Sequence, residues 1–124
     1  MIKQLMVTDF AVWRDNAQCA LDGAMPALLP VVLDVREPHE LQVASVQPDG
    51  FELVHIAMGT IPAHVAQLKA RFGADHPIAC LCHHGMRSLQ VANYLTQSGF
   101  NDVVNMQGGI DAWSRQVDSS VPVY

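Results

Sequence analysis

The fold is decided by one continuous stretch of the chain, Pro77-Ile78-Ala79-Cys80-Leu81-Cys82-His83-His84-Gly85-Met86-Arg87-Ser88. Its first half, residues 77–82, is an apolar run that begins with proline, which predicts a central β-strand. Its second half is polar and contains a glycine, and a helix predicted over 88–98 follows it and ends at Gly99. The stretch therefore predicts a strand, a tight loop and a helix in succession.

Strands and helices alternate on either side of this stretch. Short apolar runs predict strands over 30–35, 52–56 and 102–105, and helices are predicted over 37–44, 60–72 and 109–116. We expect the helix over 60–72 to begin at Thr60 as its N-cap and to end at Gly73. Apolar strands separated by helices indicate an α/β fold of three layers, in which helices flank a central parallel sheet.

Composition restricts the possible classes of function. The 124 residues are enough for one core, so a single domain over 1–124 is predicted. The formal net charge of −5 leaves no basic surface for nucleic acid, and no apolar run approaches the length of a membrane span. We therefore expect a cytoplasmic protein with neither nucleic acid nor membrane as a partner. Three cysteines, an odd number, do not suggest a disulfide framework.

The loop that follows the central strand, residues 82–88, is the predicted site of chemistry and is called the cysteine loop below. A loop between a strand end and a helix start can direct successive backbone N–H groups inward and bind an anion. Gly85 permits a positive φ there, and Arg87 adds a permanent positive charge. Such a field favours the thiolate of Cys82, which we predict to be a nucleophile. The alternative is that Cys82 is a buried structural thiol, as free cysteines often are.

The cysteine loop resembles the active-site loop of single-domain rhodaneses. Three other segments resemble further motifs of that family, in the same order, and with the loop they cover roughly residues 30–116. These segments are Leu33-Asp34-Val35-Arg36-Glu37-Pro38-His39-Glu40, Val54-His55-Ile56 and Asn105-Met106-Gln107-Gly108-Gly109-Ile110-Asp111-Ala112-Trp113.

The resemblance implies a rhodanese-like domain and a sulfurtransferase activity without a cofactor. Thiosulfate or a persulfide would donate a sulfur atom to Cys82, and cyanide, a thiol or a protein would accept it. The resemblance also implies that His83, His84, Gly85, Met86, Arg87 and Ser88 form the substrate-binding loop. Arg87 would attract anionic donors or stabilise charge in the loop.

Three alternatives remain at this point. The chain could be a sulfur-relay or binding module whose partner protein supplies the substrate, or an inactive regulatory domain, against which the intact Cys82 argues. Related phosphatases and arsenate reductases place five residues between cysteine and arginine, which makes room for a tetrahedral oxyanion. Four residues stand between Cys82 and Arg87, and the shorter loop suits one added sulfur atom.

Residues around the loop have simpler expected roles. We predict that Asp34 and Arg36 are structural, joined in an ion pair or in turn hydrogen bonds near the site. We predict no metal site, because there is no second pair of ligands and the adjacent His83 and His84 should diverge. Cys80 shares a strand face with Cys82 and should pack in the core.

The enzymatic prediction carries two structural conditions. The sulfur of Cys82 must be reachable from solvent, and the amides of the loop must turn towards it. A sulfur packed away from solvent would contradict the prediction even if the fold were correct.

Overall fold

The computed structural model describes residues 2–22 and 28–124, and they form a five-stranded sheet with helices on both faces. The strands are β1 (Lys3–Met6), β2 (Val31–Asp34), β3 (Glu52–His55), β4 (Ile78–Leu81) and β5 (Val103–Gln107). The helices are α1 (Phe10–Leu21), α2 (Pro38–Val43), α3 (Ile61–Phe72), α4 (Met86–Gln97) and α5 (Gly109–Gln116). Short 3₁₀ turns at Val7–Asp9 and Met58–Thr60 precede α1 and α3.

All four pairings in the sheet are parallel, in the order β1-β5-β4-β2-β3. The central strand β4 is buried along its whole length, between β5 and β2. Because parallel strands end at the same edge, the carboxyl ends of β4, β2 and β5 bring their following loops together. This edge is where the cysteine loop lies.

Successive residues of the strands point to opposite faces and build two separate cores. Val32 packs in one core with residues of α1 and α5, among them Phe10 and Trp113. Its neighbours Val31 and Leu33 pack in the other, with residues of α3 and α4. This confirms the predicted α/β fold of three layers. None of the helices within the described ranges is long and apolar enough to cross a membrane.

Two elements near the amino terminus were not predicted. Strand β1 buries only Leu5 among its four residues, and α1 buries only Phe10 and Ala17 among its twelve. With so few buried positions, neither segment shows a clear period of two or of 3.6 residues. Both form because the edge of β5 pairs with β1 and because Phe10 packs edge-on against Phe51 and Trp113.

Thr60 is the N-cap residue of α3, as predicted, but its side chain does not cap the helix. Thr60 lies in the preceding 3₁₀ turn, and its hydroxyl donates a hydrogen bond to the backbone oxygen of Ala57 at 2.9 Å instead of accepting one from the helix. Helix α4 also begins two residues earlier than predicted, at Met86, because Gly85 adopts the left-handed conformation with φ of 98° immediately before it. The other boundaries match the predicted ones or differ from them by one or two residues.

Candidate active site

The first residues of α5 hold the cysteine loop in place. The amide of Ile110 donates to the backbone oxygen of Cys82 at 2.8 Å, and the amide of Asp111 donates to that of His83 at 3.0 Å. A side chain at Gly109 would overlap both of these oxygens. The glycine at this position is therefore what allows the helix to approach the loop so closely.

Two hydrogen-bond donors lie close to the sulfur of Cys82. The amide of Gly85 lies 3.0 Å from Sγ, and the hydroxyl of Ser88 lies 3.2 Å from it. Both donors favour negative charge on the sulfur. The site thus has one backbone donor and one side-chain donor directed at its predicted nucleophile.

The structure contradicts the condition that the sulfur of Cys82 can be reached from solvent. It meets only in part the condition that the amides of the loop turn towards the sulfur. Cys82 is 1% exposed and belongs to the core between the sheet and α3 and α4, so its sulfur is packed away from solvent. Within the described part of the chain, Gly85 is the only residue of 83–88 whose amide donates to the sulfur. The reason is that the loop is short: α4 begins at Met86, only one residue beyond Gly85.

Ser88 connects the sulfur to a buried polar network. Its hydroxyl lies 2.5 Å from Oδ1 of Asn105, and Nδ2 of Asn105 donates to Oε1 of Gln4 at 2.9 Å and to the backbone oxygen of Gly85 at 3.1 Å. Both partners of Nδ2 are acceptors, so the amide orientation is fixed and Oδ1 faces Ser88. The hydroxyl has one proton and two acceptors. It can donate to Asn105 while Cys82 is a thiol and turn to the sulfur when a thiolate forms.

Arg87 is engaged by a carboxylate that the sequence prediction did not include. Its guanidinium donates to both oxygens of Glu40, at 2.7 and 2.9 Å. The hydrogen bonds from Arg87 hold the pKa of Glu40 well below its usual range, and Glu40 in turn raises the pKa of Arg87. The charge of Arg87 is therefore paired with that of Glu40, and its role in attracting anionic donors or stabilising charge in the loop stays a prediction.

Asp34 and Arg36 form a fully buried ion pair, with Nη2 of Arg36 2.7 Å from Oδ2 of Asp34. Nη1 of Arg36 also donates to the hydroxyl of Tyr124 at 2.9 Å, and that hydroxyl donates to Glu40 at 3.0 Å. Burial opposes the charge of Arg36, but the hydrogen bonds to Asp34 and Tyr124 outweigh it and raise its pKa. Four alternating charges, Asp34, Arg36, Glu40 and Arg87, thus form one network beside the cysteine loop.

The two histidines of the loop do not diverge as predicted. Their ring centroids are 3.9 Å apart, and the ring of His83 also stacks on that of Tyr124 at 3.9 Å with 2° between the planes. The side chain of His84 is exposed, and Met86 is 70% exposed at the start of α4. The structure thus brings Cys82, Gly85 and Ser88 together, and leaves His84 and Met86 on the surface.

Cys80 lies on the same face of the sheet as Cys82 and is completely buried, as predicted. Burial raises the pKa of the Cys80 thiol, with a smaller contribution from Cys82, so Cys80 is a poor nucleophile. Glu40, Asn105 and Gln4 contribute to the site but were not among the predicted site residues. The only sequence signal for Glu40 and Asn105 was that both lie in segments that resemble family motifs.

A family model and several known proteins match this chain. The family model described as "Rhodanese-like domain" matches residues 19–116. Thiosulfate sulfurtransferase GlpE of Pseudoalteromonas translucida is 33% identical over 91 residues, which cover 73% of this chain and 79% of that protein.

Two further proteins show the range of contexts in which similar domains occur. Rhodanese-like/PpiC domain-containing protein 12 of Arabidopsis thaliana is 38% identical over 94 residues, which are 75% of this chain but only 30% of that protein. This chain therefore spans less than a third of the plant relative. A crystal structure of a rhodanese-like domain protein from Staphylococcus aureus superimposes with a TM-score of 0.67 over 99% of both chains at 24% identity, which shows the shared fold.

Proposed function

The chain belongs to the rhodanese-like domain family, and from this premise we propose that it is a sulfurtransferase in which Cys82 carries the transferred sulfur as a persulfide. The observation that carries the proposal is the pair of donors at the sulfur, the amide of Gly85 and the hydroxyl of Ser88. Hydrogen bonds to a charged acceptor stabilise it more than they stabilise the neutral form. The same donors can therefore serve the thiolate before transfer and the persulfide anion after it.

The proposed reaction has two steps. The thiolate of Cys82 attacks the outer sulfur of thiosulfate, a bond forms between the two sulfurs, and sulfite leaves with the electron pair of the broken S–S bond. Cyanide or a thiolate then attacks the outer sulfur of the persulfide, forming thiocyanate or a new persulfide and regenerating the Cys82 thiolate. A covalent intermediate of this kind gives ping-pong kinetics.

The remaining loop residues have proposed roles of their own. Gly85 gives the loop its left-handed turn and one donor, and Ser88 gives the second donor. His83, His84 and Met86 would contact the donor molecule at the entrance of the loop. Arg87 would contribute by fixing the start of α4 against Glu40, a positioning role, since its charge is already paired.

The burial of Cys82 sets a requirement on the mechanism. With 1% of the residue exposed, a donor reaches the sulfur only after side chains of the loop or of the adjacent core have moved. We propose that this opening precedes the first step. If the loop did not open, no donor could load sulfur onto Cys82, so incubation with sulfur donors tests this requirement directly.

Mass spectrometry of the intact protein tests the proposal. After incubation with thiosulfate we expect a gain of one sulfur atom, about 32 Da, that maps to Cys82 and is lost when cyanide is added. The Cys82→Ser variant should show no gain, and Cys19→Ser, which removes an exposed thiol from α1, should behave as wild type. A folded wild-type protein that acquires no sulfur from thiosulfate or from any persulfide donor, a persulfidated protein included, would instead be an inactive regulatory domain.

The second candidate is a sulfur-relay module that exchanges sulfur with a protein partner. The buried sulfur favours it, because a docked protein could open the loop where a small donor could not. The plant relative, in which the matched segment is less than a third of the length, supports a role as one module among several. A persulfidated protein that loads Cys82 when thiosulfate and glutathione persulfide do not would favour this candidate.

The pairing of Arg87 with Glu40 argues against the phosphatase or arsenate-reductase alternative. Glu40 accepts from Nη1 and Nη2 of Arg87, so two of the five N–H donors of this guanidinium are already engaged and fewer remain for a tetrahedral oxyanion beside Cys82. The short loop adds no room for such an anion.

A further inference from the structure

Three side chains with metal-binding atoms meet on the outer side of the cysteine loop. A ring nitrogen of His83, a ring nitrogen of His84 and a carboxylate oxygen of Asp111 all lie within 4.8 Å of one another. The sulfur of Cys82 points elsewhere, towards Gly85 and Ser88. We propose that His83, His84 and Asp111 bind a divalent transition-metal ion of the Zn²⁺ class, at a site separate from the sulfur.

The backbone brings these ligands together. The amide of Asp111 donates to the backbone oxygen of His83 at 3.0 Å, so the first turn of α5 is fixed against the residue that supplies the first imidazole. Gly109 permits this approach because any side chain there would overlap the backbone of the loop. The three ligands therefore share one rigid support, although they come from two elements that are more than twenty residues apart in the sequence.

His83 is already oriented as a metal-binding histidine requires. Its Nε2 lies 2.6 Å from the backbone oxygen of Tyr124, and because an oxygen there can only accept, Nε2 carries the proton. The lone pair is then on Nδ1, which is the ring nitrogen that would bind a cation. Metal-bound histidines commonly donate their other N–H to a backbone oxygen or a carboxylate in this way. Stacking on Tyr124 holds the same ring in position.

The ligand set selects the kind of metal. Two imidazoles and one carboxylate are a common set for Zn²⁺, leaving one coordination position open for water or another ligand. Bonds of about 2.0–2.1 Å in a tetrahedral site place the ligand atoms roughly 3.3 Å apart. The present separations, all within 4.8 Å, require any two ligand atoms to close by about 1.5 Å at most. The ring of His84 is exposed but lies against that of His83, with centroids 3.9 Å apart, so the two imidazoles must turn out of this contact to bind one ion.

Arg115 competes with the metal for Asp111. Its Nε lies 3.2 Å from both carboxylate oxygens, one turn along α5, and its side chain is 60% exposed. Exposed ion pairs of this spacing are weak, so a divalent cation that also gains two imidazoles should displace the arginine. Because Arg115 and the metal would compete for Asp111, removing Arg115 should strengthen metal binding.

Calorimetric titration of the untagged protein with Zn²⁺, and the visible spectrum with Co²⁺, test the proposal. We expect one ion per chain and visible bands of a nitrogen- and oxygen-ligated Co²⁺ without the intense near-ultraviolet band of a cobalt–thiolate bond. Asp111→Asn and His84→Ala should each weaken binding tenfold or more, and Arg115→Ala should tighten it several-fold. His39→Ala, which removes an exposed histidine of α2 outside the cluster, is the matched control and should bind as wild type.

Two results would overturn the proposal. One is binding by Asp111→Asn and His84→Ala that stays within twofold of wild type while circular dichroism shows both variants folded. The other is a cobalt–thiolate band that Cys82→Ser abolishes together with binding, which would place the metal on the sulfur. Neither readout depends on sulfur transfer, so the metal site stands or falls independently of the proposed activity.

Discussion

The hydroxyl of Ser88 can donate a hydrogen bond either to Asn105 or to the sulfur of Cys82, and replacing Ser88 with alanine removes both interactions. The residue is fully buried, and the change leaves Oδ1 of Asn105 without its partner at 2.5 Å, which should cost about 1–3 kcal/mol of folding stability. It also removes one of the two donors to the sulfur. A hydrogen bond to a charged group contributes about 1.5–3 kcal/mol, so sulfur transfer should slow by roughly tenfold to a hundredfold, at about 1.4 kcal/mol for each factor of ten.

Ser114→Ala is the matched control for this experiment. Ser114 is also buried, and its hydroxyl donates to the backbone oxygen of Ile110 at 2.9 Å, but not to the sulfur. Urea unfolding should show that both variants lose stability, whereas the rate of thiocyanate formation from thiosulfate and cyanide should fall only for Ser88→Ala. If both variants transferred sulfur within twofold of wild type, the hydroxyl of Ser88 would have no part in stabilising the sulfur anion.

Three more outcomes follow from the structure and can be measured by urea unfolding. Arg36→Met should cost about 3–5 kcal/mol because it leaves Asp34 buried and unpaired, and adding Asp34→Asn should recover part of that loss. Gly109→Ala should destabilise the fold by at least about 2 kcal/mol more than Gly73→Ala, because both glycines have positive φ but only the first lacks space for a side chain. Glu40→Gln should lower stability at neutral pH. Since the folded state depresses the pKa of Glu40, its contribution is complete above the ordinary value of 4.5, is lost as the pH falls further, and should leave the two proteins progressively more alike in acid.

The alternation of elements was predictable because the central strands are buried on both faces. Residues 78–81 and 31–34 are apolar or nearly so, and such runs can be recognised without knowledge of their neighbours. Strand β1 is different, since it lies at the edge of the sheet and buries only Leu5. Its conformation depends on pairing with β5, which is about a hundred residues away in the chain. Residues 3–6 by themselves therefore show no clear strand pattern.

The chemistry of the site was predictable only as far as it is local. Cys82, Gly85 and Ser88 lie within seven residues, and the strand–loop–helix pattern that joins them can be read from the sequence. The partner of Arg87 is Glu40, 47 residues away, and no rule of spacing predicts that pair. The sequence left open whether Cys82 is a buried thiol, because its burial depends on how the sheet packs against α3 and α4.

The charge network changes how the loop can recognise a donor. Asp34, Arg36, Glu40 and Arg87 carry two positive and two negative charges, all held within paired hydrogen bonds, so their sum next to the loop is zero. A thiosulfate anion approaching from solvent therefore meets little net attraction from this side. What remains to favour an anion is short-ranged: the amide of Gly85, the hydroxyl of Ser88 and the free N–H groups at the start of α4. These groups act only at short range, so in the proposed reaction they would stabilise sulfur bound to Cys82 more than they would attract a donor.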